Sequence, residues 1–91
     1  MKVVAMDLFR ILWDDPDDPN GNVQHLAEHG LTIDDVEEVL AIPTSEGKSA
    51  SSGRPCVWGY TLEDVYIIVV YEQIDADTVR VVTAYEVPEP A

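Results

Sequence analysis

The hydrophobic period of this chain changes once, near Thr44, and that change restricts the folds open to it. Before it, apolar residues recur at helical spacing; after it, they alternate or run continuously, as strands do. Asn22–His29 puts Val23, Leu26 and Ala27 on one helical face, and Gly30 stands where a left-handed cap closes such a helix. A second helix opens at Thr32. Thr32-Ile33-Asp34-Asp35 reads as a capping box with Asp in place of Glu, its acids suited to the positive end of the helix dipole. Ile33, Val36, Val39 and Leu40 form its apolar stripe, and Pro43 stops it. About two residues around Leu31 join the helices, which predicts a tight helical hairpin.

Strands account for the rest. Leu8–Trp13 is a short apolar run read as a first strand, ended by a loop over Asp14–Gly21 that holds two prolines and four aspartates. Glu46–Gly53 is small and polar, fit for an edge strand or a mobile loop. In the strand that follows, Arg54, Cys56, Trp58 and Tyr60 share one face. Leu62-Glu63-Asp64 makes a turn, and Val65–Tyr71, apolar on both faces, is read as the central strand. Ile74–Asp77 turns the chain into a last strand, Thr78–Tyr85, after which Pro88 and Pro90 prevent regular structure. The expected fold is α+β: a short N-terminal strand, a helical hairpin, then a three- to four-stranded antiparallel meander. It is expected as a single domain over residues 1–91, since no linker or repeat divides it.

A chain of 91 residues buries roughly 64% of its unfolded surface, enough for a thin core. Its charge is less ordinary. Eighteen Asp and Glu against five Lys and Arg give a net charge of −13, which excludes a surface that broadly attracts nucleic acid or anionic lipid. Contact with RNA therefore needs a local basic cluster, or a partner that neutralises the acid. The lone cysteine, Cys56, cannot form an internal disulfide, Met1–Asp7 lacks the apolar run of a secretory leader, and Val65–Tyr71 is far short of a membrane span. A cytoplasmic protein that does not enter membranes is expected.

Four groups of residues suggest chemistry. Asp14–Asn20 is acidic, but Pro16 falls where a calcium loop needs its first ligand, and Ala27 falls where it needs its closing Glu; a solvated turn is the better reading. His25 and His29 share a helical face without the intervening Glu of a zinc-protease motif, so the reading is two helix-end histidines and no metal. Gly47-Lys48-Ser49 lacks the upstream glycine and strand of a phosphate loop, and Cys56 reads as a structural thiol. The fourth group is Arg54, Trp58, Tyr60, Tyr71, Arg80 and Tyr85 on neighbouring strands. Two guanidinium groups among aromatic rings are the minimum for holding a phosphate and stacking a base. A packed sheet face whose arginines pair with carboxylates is the competing reading.

The order of segments then resembles a known family. Trp13-Asp14, Asn22-Val23-Gln24-His25-Leu26-Ala27-Glu28-His29-Gly30, Val36-Glu37-Glu38-Val39-Leu40, Gly53-Arg54, Trp58-Gly59 and Val79-Arg80-Val81-Val82-Thr83-Ala84 together resemble the BrnT-type toxins and their acidic relatives. The likeness extends from Phe9 to Val87. It implies a RelE-like fold, a metal-independent endoribonuclease of a toxin–antitoxin pair, and an antitoxin partner. By the same resemblance Arg54 and Arg80 occupy basic positions of the family, and His29 is the histidine of its His-Gly motif. Ala84-Tyr85-Glu86-Val87 stands where the family toxins carry arginines, and Tyr60 stands at an often basic position.

Two functions follow as expectations. In the first, the chain is a weakened ribonuclease acting on single-stranded RNA without a cofactor. Arg54 and Arg80 bind phosphate, Tyr60, Tyr71 or Tyr85 orients the substrate or donates a proton, Trp58 stacks on a base, and His29 supports them. In the second, the same fold is a non-catalytic acidic module, a homodimer or the partner of a basic protein, with Trp58 and the tyrosines as interface anchors.

Overall fold

The computed structural model describes residues 10–90. Its elements run β1 (Arg10–Leu12), α1 (Asn22–Glu28), α2 (Ile33–Ala41), β2 (Ser45–Lys48), β3 (Pro55–Tyr60), β4 (Tyr66–Asp75) and β5 (Thr78–Glu86). The strands form one sheet in the order β1-β5-β4-β3-β2. From β2 to β5 the sheet is an antiparallel meander with β4 at its centre, and β1 joins the far edge parallel to β5, pairing Arg10 with Thr78 and Leu12 with Arg80. The α+β class matches the sequence reading; the two helices follow each other across a short joint, with α1 packed on β5 and α2 on β3 and β4 rather than tightly against one another. Leu8 and Phe9 of the expected first strand, and the Met1–Asp7 segment, lie outside the described residues. No helix among the described residues is long and apolar enough to cross a membrane.

Local chemistry sets the helix ends. The hydroxyl of Thr32 accepts from the backbone N–H of Asp35 at 3.2 Å, and the Asp35 carboxylate accepts from the N–H of Thr32 at 2.9 Å. This is the expected capping box, and Val36, Val39 and Leu40 behind it are buried. At the end of α1, Gly30 adopts φ 76, the N–H of Leu31 reaches Leu26 O at 3.0 Å, and that of Gly30 reaches Ala27 O at 2.9 Å. These are the two bonds of a Schellman closure, and they bring Leu31 down beside Leu26 in the core. One detail differs: Leu26 is fully buried, but Ala27 is exposed. With only two turns, α1 presents Asn22 and Leu26 to the sheet and turns Ala27 away.

Alternation then gives the sheet two faces. Val57, Ile67, Val69, Tyr71, Val79, Val81 and Ala84 pack under the helices with Leu26, Val36, Val39 and Leu40. Cys56, Ile68 and Val70 form a smaller cluster, against which Trp58, Val82, Tyr85 and Val87 lie. A register shift between Val70 and Tyr71, opposite Thr83 and Val81, inserts Val82 as a bulge; it keeps Val81 on the helix side. β4 outlasts its apolar run: Asp75, expected in the turn, still pairs with Thr78, and Ile74 is the residue skipped at a second register shift.

Candidate functional site

The site forms where the aspartate loop, the start of α1 and β5 meet. Asp14 follows β1 closely, and its carboxylate accepts from Arg80 Nη2 at 2.6 Å and from the N–H of Asn22 at 2.9 Å. The Asn22 side chain returns the second contact by accepting from the N–H of Asp14 at 2.9 Å. Its amide nitrogen donates to Leu12 O at 3.1 Å and to Val81 O at 2.9 Å. Asn22 is buried, and its side-chain amide satisfies itself by joining β1 to β5. Gly21 is required beside it, because a Cβ there would meet Asp14 Cβ at 2.8 Å.

A surface cavity of about 460 Å³ opens over this junction, with Arg80, Asn22, His25, Glu28 and Val82 among its lining residues. His25 and His29 lie 5.3 Å apart ring to ring, and His29 lies 5.8 Å from Tyr85. Three of the four expected catalytic residues, Arg80, His29 and Tyr85, thus belong to one region built by α1 and β5. Its electrostatics oppose phosphate. Arg80 is held by Asp14, Glu28 lines the same cavity, and Glu72 stands directly across from Arg80 in the β4–β5 register. A phosphate entering here meets three carboxylates around one already paired guanidinium.

Of the remaining expected residues, Trp58 shares the sheet face of Tyr85, in one row with it through Ile68. Arg54 is exposed just before β3, two strand spacings from β5 and so about 10 Å across the sheet. Trp58 covers Cys56, Ile68 and Val70, with Gly47 of β2 against its ring. Tyr60 is exposed at the end of β3, its hydroxyl donating to Glu89 at 2.8 Å and its ring 4.9 Å from Tyr66. That hydrogen bond to a carboxylate is the main reason the phenol holds its proton above the usual pKa. Tyr71 is corrected. Its pairing with Val81 turns it toward the helices, where it is 8% exposed, and burial raises its pKa first of all. It cannot join a substrate surface on the face of Trp58.

The acidic loop is occupied by its own backbone. Asp15 accepts from the N–H of Asp17 and Asp18 from that of Asn20, both at 2.9 Å, so these carboxylates close turns. Among the described residues, no three His, Cys, Asp or Glu side chains are arranged to hold a metal ion.

Comparison with protein-family models, curated proteins and solved structures finds no match. Asp14 and Asn22 organise the site; the sequence marks Asp14 only as the first residue of an acidic loop and Asn22 only as the start of a helix, and nothing in their spacing pairs the two.

Proposed function

We propose that this protein is a BrnT-like, toxin-family scaffold that works by binding a basic protein, with its RNA chemistry lost. The observation that carries the reading is the 2.6 Å ion pair between Arg80 and Asp14. A nuclease of this kind needs a free cation to stabilise charge gathering on phosphorus. Here the best-placed guanidinium is already neutralised, Glu28 and Glu72 flank it, and Glu86 follows Tyr85. A net charge of −13 favours encounter with a cationic partner, such as an antitoxin with a basic arm.

A second reading, a weakened metal-independent ribonuclease, is favoured by the closeness of His29 to Tyr85 beside the Arg80 cavity. Incubation of the purified protein with single-stranded RNA in EDTA separates the two. Intact RNA at high protein concentration is expected. Cutting that Arg80→Ala abolishes while the fold survives overturns the binding-module reading and establishes the nuclease.

A further inference from the structure

The strongest unassigned feature lies at the other end of the sheet, where α2 runs into β2 and the β3–β4 turn rises. Leu62 is 74% exposed and Ile42 66%, and both line a cavity of about 330 Å³ together with Tyr60. Isolated apolar residues on a surface need no explanation, but grouped ones mark contact sites.

The backbone holds this group in place. The N–H of Thr61 donates to Val65 O at 2.9 Å, and that of Asp64 donates to Thr61 O at 3.0 Å. The buried Thr61 hydroxyl accepts from the N–H groups of Glu63 and Val65, both at 3.2 Å. Asp64 sits at φ 63, a left-handed conformation that an L-residue adopts at a cost. This closed turn leaves Leu62 outward. Across from it, a Cβ at Gly59 would lie 3.1 Å from Val39 and 3.5 Å from Ile42 O, so the end of α2 is seated tightly on β3 and Ile42 is fixed beside Tyr60. The apolar residues are presented by a rigid frame.

Charge identifies the occupant. Glu38 and Asp64 line the cavity, Glu63 adjoins it in the turn, and Glu89 is anchored to the Tyr60 hydroxyl; among the described residues, no Lys or Arg lines it. We propose that Ile42, Tyr60 and Leu62 dock a partner-protein segment that places an apolar side chain between lysines or arginines. The apolar group fills the cavity while its neighbours meet the carboxylate rim, which sets orientation and encounter rate. The inference rests on the protein-binding reading above and assigns its surface.

The test is an NMR titration of the whole protein with a synthetic peptide alternating lysine and leucine, beside a control with serine for leucine. Shifts centred on residues 42 and 60–64 are expected, with affinity about tenfold lower for the serine peptide and for Leu62→Ser. Ile42→Ser, on a separate element, should repeat the loss if either variant folds poorly. Saturable binding mapped elsewhere and indifferent to both substitutions overturns this surface and leaves the binding-module reading standing. No binding of either peptide overturns both. A dimer that Leu62→Ser dissolves overturns the basic partner in favour of a second copy of this chain.

Discussion

Asp14 and Asn22 hold each other through two reciprocal hydrogen bonds of 2.9 Å, each backbone N–H donating to the other's side chain. The exchange closes the aspartate loop, and the free amide nitrogen of Asn22 then ties the loop to two strands. Asn22→Ala removes the donor to Leu12 O and Val81 O and the acceptor of the Asp14 N–H together. A loss of about 2–3 kcal/mol is expected, read as a lower urea midpoint with unchanged slope. Asn22→Asp should be no better, since a carboxylate cannot donate to those carbonyls and adds charge beside Asp14.

Arg80→Ala is expected to cost little. The pair with Asp14 is partly solvent-exposed, at 37% and 28% for the two side chains, so its net stabilisation is about 1 kcal/mol or less and falls as salt is raised. Thermal melts at low and high ionic strength measure this directly. A large, salt-insensitive loss would mean that packing of the arginine stem dominates.

Tyr60 supplies a pH dependence at the alkaline end. Its hydrogen bond to Glu89 favours the protonated phenol, so its folded pKa lies above the unfolded value of about 10. The resulting stabilisation is fully present below the unfolded pKa and is lost as pH rises through the folded one. The ultraviolet tyrosinate titration, taken as the difference between the wild type and Tyr60→Phe, should show this late phenol. Glu89→Gln should move it earlier.

Cys56 should be inert while the protein is folded. It is fully buried within the Ile68–Val70 cluster, and burial raises its thiol pKa. A thiol reagent should label it only as fast as the chain unfolds, with labelling accelerating in urea alongside the loss of ellipticity. Rapid labelling of native protein would show that the sheet face over it opens without global unfolding.

What the sequence makes legible here is what is local. The Thr32–Asp35 capping box, the α2 stripe and the Gly30 closure each lie within a few residues, and each is where the pattern puts it. Tyr71 is not placed by the sequence, because an apolar run on both faces hides which phenol points outward. Only the pairing of Cys56 with Val70 and of Tyr71 with Val81 decides it. Arg80 was recognisable as a rare cation, but its partner lies 66 positions away in a loop read simply as acidic. The Ile42–Leu62 surface escaped for a similar reason. It joins a helix end to a turn that adjoin only once Gly59 lets α2 settle on β3.

The parallel pairing of β1 with β5 makes the earliest described strand depend on the latest. During synthesis the β2–β4 meander can form by neighbour-to-neighbour zipping, and the two short helices settle on the strands they pack against. Arg10–Leu12 must wait until Thr78–Arg80 emerges, so this edge of the sheet closes only after β5 is made. A nascent chain halted before Thr78 would carry Arg10–Leu12 without its partner strand, and proteolytic quality control would meet it in that form.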